Sequence, residues 1–475
     1  MAFSSLPKAM RLVAHLCRRQ LAAVVASAPL VWTIPEAKAQ GGITRGGSPH
    51  RVVIGPNTRV TPLADTTLHV EPHLAVDPTD GRRLVATAMA IPAAGRGPEV
   101  RVYTSADAAR TWTRRPLGAS PAMGGDPWVA FGPGGVAYLL KLPGEVWRST
   151  DAGRTWAPPV IFPQGDGGPF DYPKLAVDHT GGEFAGRVYV WASQSALLPS
   201  RKRVGPAALL WSADSGRTLS APVRVLPNNF GNQVGGIGVL SDGAVVATFH
   251  EIDVNNAFLT SPRLWAVRST NGGATVDGPF LIAENFLADS PDLVVDPSAG
   301  PFRDRVYVAS TGRLPTGRSV VFLRHSVDRG ETWSAPALIR DTLPAGRPGA
   351  YLPHRPALAV NREGVVGITW QDPRYDLGAR CFALSFTASL DGGATFLPPT
   401  AVAAAASCAE TPANSVTLED GTPVSRRYGD GGDYHGLVAL PDGSFQALWA
   451  DSRTGSYQLW TAHVRVEPPV GGRLR

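Results

Sequence analysis

An eight-residue pattern, Ser-x-Asp-x-Gly-x-Thr closed by an apolar and usually aromatic residue, recurs six times along the 475-residue chain. No other feature narrows the possible folds as much. The copies span 105–112, 149–156, 212–219, 269–276, 326–333 and 389–396. Ser and Thr never vary. The third position is Asp107, Asp151, Asp214, Asn271, Asp328 and Asp391, and the fifth is Gly except at Ala109. An Asx side chain accepts backbone N–H bonds two residues on, Gly supplies positive φ, and the flanking hydroxyls bond the same loop. The segment therefore reads as a turn between two strands, and its aspartates as turn acceptors rather than catalysts. Six copies mean a chain assembled from repeated antiparallel units.

The octapeptide resembles the Asp-box, or BNR repeat, of the sialidase-like β-propellers, and the likeness spans nearly the whole chain after its leader. It implies an all-β fold of four-stranded antiparallel blades. Each octapeptide would form the hairpin between third and fourth strands, away from the ligand-binding face.

A second repeat counts the blades independently. A short apolar strand, usually opened by Pro after a polar residue, begins near Glu71, Asp126, Asp171, Gln233, Asp289, His354 and Asp433. Pro is tolerated at the first residue of a strand, where no ladder donor is needed. Seven inner strands predict seven blades; six, the usual number in catalytic sialidase domains, is the alternative. The last unit ends after Gln458–Val464 without an octapeptide, while Arg51–Ile54 precedes the first unit without a blade of its own. The N-terminal segment is thus expected to supply the missing outer strand and close the ring.

Residues 1–39 read as an export signal peptide: a basic segment ending in Arg18-Arg19, an apolar stretch from Leu21 to Ile34, and Ala37-Lys38-Ala39 before Gln40. The arginine pair suits a twin-arginine signal and equally the charge cluster of any signal. Residues 40–475 then form a single propeller domain, exported to the periplasm or beyond. Most of the formal charge of +6 sits in that leader, where five basic residues face only Glu36. The remaining basic residues are scattered, so nucleic acid is not indicated as a partner. No apolar run after residue 40 has the ~18 residues of a membrane helix. Only Cys381 and Cys408 survive removal of the leader. In an oxidising compartment they read as one disulfide, two buried thiols being the alternative.

Loops that enter inner strands, and loops that join second to third strands, share one face of a propeller. They bring acids, arginines, imidazoles and a phenol to one mouth: Glu71, His73, Asp126, Asp171, His354, Arg355, Asp433, Tyr434, Glu251, Arg374 and Arg453 among them. Arg374 and Arg453 each follow an Asp in a Trp-x-Asp-x-Arg motif, so an Asp–Arg ion pair within each loop is the structural alternative. No spacing resembles a zinc site and the Gly-rich turns precede no helix, so no metal or other cofactor is expected.

The family resemblance implies chemistry for these positions. Sialidases hold a carboxylate with three arginines, attack with a Tyr activated by a Glu, and protonate the leaving group with an Asp, an exception to the usual carboxylate pair. The matching candidates are Tyr434 as nucleophile, Glu251 as its activator and Asp126 as acid. Arg355, Arg374 and Arg453 are the clamp, with His354 and Asp433 beside it. The family's Arg-Ile-Pro motif is replaced by Glu71-Pro72-His73 on the first inner strand. The expectation is a sialidase-like glycoside hydrolase acting on extracellular glycans, the alternative a non-catalytic propeller that binds glycan or protein through the same mouth.

Overall fold

The structure, a computed structural model, describes residues 50–469 except 93–96, 119–123, 166, 195, 198–202, 226–230, 253–261, 285–289, 315–318, 340–353, 374–380, 412–413, 415–416 and 419–420. Residues 1–39, expected from the sequence to be an export signal, lie outside the described residues. The chain divides into two compact units, 52–466 and the termini 1–51 with 467–475. Within the second unit Arg51 and Glu467 form an ion pair at 2.7 Å.

The larger unit is a seven-bladed β-propeller of antiparallel sheets, nearly all β. Its inner strands are Leu68–Asp77, Trp128–Phe131, Phe170–Val177, Gly231–Val239, Asp292–Val295, His354–Val360 and Gly436–Ala439. Each packs against the next, and the seventh returns to the first. In blade 3, for example, Phe170–Val177, Val188–Gln194, Ala207–Ser212 and Val223–Val225 follow one another outward. Blade 7 is composite, as expected: Arg51–Ile54 pairs with Gln458–Glu467 as its outer strand, and Thr58–Arg59 pairs with the same strand. Gly55 N–H donates to the His463 carbonyl and Val60 N–H to that of Leu459, both at 2.8 Å. Ring closure leaves that strand no open edge.

Every octapeptide is the hairpin between third and fourth strands, and the six share one hydrogen-bond set. The Ser hydroxyl donates to Oδ1 of the Asx at 2.7–3.0 Å, while the N–H of the fifth residue donates to the Ser Oγ at 2.8–3.0 Å. The Thr N–H reaches the same Oδ1 at 2.8–2.9 Å. The motif is thus a self-contained turn.

Both faces of each middle strand are apolar because each blade is sandwiched between two others. Separate buried clusters accordingly fill the seven seams between neighbouring blades. Trp147, Trp191 and Trp449 are among the largest side chains fully enclosed there. Arginines tie the seams at the octapeptide side: Arg305 stacks on Phe302 and donates to the Gly392 carbonyl, within the octapeptide of the next blade, at 2.8 Å.

The connection from blade 6 to blade 7 shapes the site. A disulfide joins Cys381, on the third strand of blade 6, to Cys408, as expected for an oxidising compartment. Ser452 Oγ accepts from Cys408 N–H at 2.7 Å and donates to its carbonyl at 2.6 Å. Anchored this way, the connection carries a short helix, Val424–Arg427, and the residues up to Tyr434 to the mouth of the central channel.

Candidate functional site

Four inner strands carry one extra residue at equivalent places. Pairing with the second strand slips between Val70 and His73, Asp171 and Lys174, Val234 and Ile237, and His354 and Ala357. Such bulges re-aim side chains. In three of them, and at the start of blade 2, a non-glycine residue before Pro has left-handed backbone: Glu71 (φ 54°), Asp126 (45°), Tyr172 (55°) and Arg355 (54°). Pre-proline residues favour extended backbone and side chains disfavour positive φ, so each position is strained twice over. Strain repeated around one channel points to a site whose side-chain directions matter more than local stability.

Three carboxyl groups meet there. Asp126 lies between Glu71 and Asp171, within hydrogen-bond reach of both, and its Oδ2 also accepts the Tyr172 N–H at 3.2 Å. Glu71 is 1 % exposed and neither of its oxygens meets an N–H or hydroxyl donor. Two carboxyls bond each other only if one keeps its proton. Burial, then the charges of Asp126 and Asp433, push the Glu71 carboxyl well above its usual range, against the opposing pull of Arg427. Gly431 and Gly432 seal it: the Gly431 carbonyl accepts the Glu71 N–H at 2.9 Å, and a Cβ on Gly432 (φ 112°) would lie 2.4 Å from that nitrogen. Asp171, by contrast, is open to solvent in a recess walled by protein. The low-dielectric walls and then Asp126 push its carboxyl up to about 7.

A second set is fully paired. Asp433 accepts from both terminal guanidinium nitrogens of Arg427, at 3.1 and 2.9 Å, and from Nη2 of Arg355 at 3.0 Å. Asp430 takes His354 Nε2 at 2.8 Å and the other Arg355 nitrogen. Burial would raise both carboxyls, yet Arg427 with Arg355, and Arg355 with His354, hold them below the ordinary range. Under these networks an aromatic group packs at the channel: Trp128 stacks on His73 at 3.6 Å, and Tyr434 meets the edges of Trp128 and Tyr172 at 5.4 and 5.9 Å. Lys174 lies among these rings.

The sequence-derived candidates divide accordingly. Asp126, Tyr434, Arg355, His354 and Asp433 converge on this channel. Arg374 lies outside the described residues. Glu251 binds Arg263 at 2.9 Å and Trp265 Nε1 at 3.2 Å, and the groups that act most strongly on Tyr434 are others. The carboxyls around the phenol are Asp126, Glu71 and Asp433, and burial together with them raises it well above its usual range. At rest Tyr434 is a donor, to the Pro127 carbonyl at 3.3 Å. Arg453 does not join Arg355 in a clamp. It follows the structural alternative, pairing with Asp451, bonding Asn57 at 2.9 Å and lying on Trp460 of the third strand. Nor is Arg355 an exposed mouth residue, because two aspartates hold it. Arg427, Asp430 and Lys174 were missed. Arg427 and Asp430 sit on a connection without repeat counterparts, and Lys174 occupies a strand position that pattern alone assigns to the core. Among the described residues no group of His, Cys, Asp and Glu is arranged to hold a metal ion, and no helix is long and apolar enough to cross a membrane.

No protein-family model matches the chain, and no curated protein matches it. Solved structures do. One is a Dyadobacter fermentans protein of unknown function, 13% identical, with 88% of this chain and 99% of that one covered at a TM-score of 0.46. A Hadza microbial sialidase is 19% identical, with 79% and 75% covered at 0.45. YCF48 from Cyanidioschyzon merolae is 12% identical, with 86% and 98% covered at 0.43.

Proposed function

We propose that the protein is an exported glycoside hydrolase that cleaves extracellular glycans at the channel mouth, with Asp171 as the proton donor and Asp126 and Glu71 behind it. One observation carries the reading: Asp171 is open to the channel while its carboxyl is pushed up to about 7. Glycosidic cleavage needs an acid that still holds its proton near neutral pH and stands where a leaving oxygen can reach it. A neighbouring carboxylate then stabilises the cationic sugar or activates water. Asp126, hydrogen-bonded to the acid, is the available neighbour. Export is supported by the leader and by the Cys381–Cys408 bridge.

Exo-α-sialidase hydrolysis is the form the octapeptide resemblance implies, and Tyr434 beside Glu71 and Asp126 is its favourable element. A second reading, a glycan-binding propeller without turnover, is favoured by the occupied state of Arg355 and Arg453. Assay of the secreted protein on aryl α-sialosides and on neutral aryl pyranosides and furanosides separates these readings. Turnover that falls by about 100-fold or more in Asp171→Asn supports the hydrolase. A wild type that cleaves none of them but is retained on a glycan array establishes the binding module instead.

A further inference from the structure

Arg83, Arg187 and Arg305 occupy one register position in blades 1, 3 and 5. Each directly precedes a second-strand residue that pairs with a valine near the end of the inner strand: Leu84 with Val76, Val188 with Val177 and Val306 with Val295. Arg187 lies on the Phe184 ring and donates to the Gly272 carbonyl, and Arg305 lies on Phe302 and donates to that of Gly392. Both carbonyls belong to the fourth residue of the next blade's octapeptide. These two guanidinium groups therefore bridge their seams. Arg83 does not. Residues 78–82 separate it from Asp77, against 179–186 in blade 3 and 297–304 in blade 5, and they include no phenylalanine. Its guanidinium turns back to Asp80 and Asp77, at 3.3 and 3.6 Å, and stays half exposed. Among the described contacts it makes no bond to the carbonyl of Ala152, the matching octapeptide residue of blade 2.

The seam between blades 1 and 2 keeps an open recess of about 150 Å³ on the octapeptide side. Arg83, Arg115 and Arg154 line it, together with Thr104, Asp107 and Ala152. Arg115 makes one bond, from Nε to the Thr104 hydroxyl at 2.8 Å, so its terminal nitrogens are available to another acceptor. Among the described residues neither Arg115 nor Arg154 forms an ion pair. Asp107 contributes the carboxylate of the lining, and donors of its own turn occupy both oxygens. Oδ1 accepts from the Ser105 hydroxyl and the Thr111 N–H, and Oδ2 accepts from the Thr111 hydroxyl at 2.6 Å. Three cations thus surround a recess whose lining carboxylate is already satisfied, and only Arg83 is offset by further acids, Asp77 and Asp80.

At ~30 Å³ per water the recess has room for about five waters, well short of the roughly 300 Å³ or more of a pocket that encloses a whole organic ligand. One compact group fits. Guanidinium groups bind oxyanions through paired N–H donors and stay charged at every ordinary pH. We propose that the recess is an anion site that takes the sulfate or phosphate end of a monoester, whose organic part remains outside in solvent. Arg115 and Arg154 supply the donors, and Arg83 adds a third positive charge at the rim. The site is separate from the channel mouth: Arg83 stands beside the Val76–Leu84 pair, at the far end of the strand Leu68–Asp77 from Glu71. It does not rest on the glycosidase reading.

The test is equilibrium dialysis of the native protein against radiolabelled inorganic sulfate at low ionic strength, with glucose 6-sulfate, glucose 6-phosphate and glucose as competitors. Saturable sulfate binding that at least one ester displaces, and glucose does not, supports the site, and the stronger ester names the source of the group. Arg154→Gln and Arg115→Gln should each weaken binding by about tenfold or more, the loss of one charge-assisted bond. Arg154 is exposed, so its replacement leaves the fold intact. Arg217→Gln, at the same octapeptide position in blade 3, should leave binding unchanged. The proposal is overturned by an absence of saturable binding, by displacement with glucose, by sulfate that neither ester displaces, or by an affinity that Arg154→Gln does not alter.

Discussion

Arg355 Nη2 donates to Asp433 Oδ1 at 3.0 Å, joining the strained start of the blade 6 inner strand to the connection that enters blade 7. The same guanidinium also holds Asp430. A residue whose sequence position reads as a free mouth cation is therefore part of the scaffold that fixes two carboxylates.

Arg355→Ala should accordingly destabilise the fold by about 2–4 kcal/mol, because it leaves two poorly solvated carboxylates short of a partner. Asp430 and Asp433 titrate below their ordinary range in the folded protein. Their stabilising contribution is thus complete above about pH 4 and is lost as pH falls further. Denaturant titrations from pH 3 to 7 should show that acid-side slope in the wild type and a shallower one in the variant.

Asp171 titrates in the opposite sense. Its raised carboxyl keeps its proton up to about 7, so hydrolysis that uses it as acid is present below that pH and declines as pH rises through it. A kcat/KM profile on a cleaved aryl glycoside should show this alkaline limb. A profile flat from pH 6 to 8.5 would remove Asp171 from the acid role.

Asp328 accepts from the Ser326 hydroxyl at 2.7 Å and from the Thr332 N–H at 2.9 Å, all within one octapeptide. Asp328→Ala should cost about 1–3 kcal/mol through the donors it strands. Glycan retention per folded molecule should be unchanged, as measured by calorimetric melting alongside a binding assay.

Cys381 and Cys408 are 27 residues apart and tie the blade 6–7 connection to its sheet. Their replacement by a Ser pair should cost about 3 kcal/mol on the loop-entropy argument. Because Arg427, Asp430 and Asp433 ride on the same connection, channel binding should weaken together with stability. Ellman titration of the unfolded, unreduced wild type should find no free thiol at either position.

Removing residues 40–60 takes away the outer strand of blade 7 along with the Gly55 and Val60 bonds to the strand Gln458–Glu467. The truncated chain should melt at markedly lower temperature and with reduced cooperativity, since the opened sheet exposes an unpaired edge. Melting indistinguishable from the full chain would show that the closure contributes nothing to stability.

The sequence by itself determined what depends on local chemistry. The octapeptide closes its hydrogen bonds within eight residues, so Ser326, Asp328 and Thr332 specify their turn wherever it sits. The short apolar strands, five of them led by Pro, count to seven because each inner strand needs the same short apolar run. The orphan strands at the two ends had one partner left to choose. The tertiary structure decided everything that depends on approach between distant segments. Whether Arg355 stands free or is held by Asp430 and Asp433, and whether Glu71 stands near Tyr434, is a matter of which way bulged and left-handed residues aim their side chains. No period in the sequence encodes that direction. The protonation of Glu71 and Asp171, and the ring-enclosed position of Lys174, arise from burial by residues hundreds of positions apart. Burial of that kind exists only once seven blades have closed around one channel.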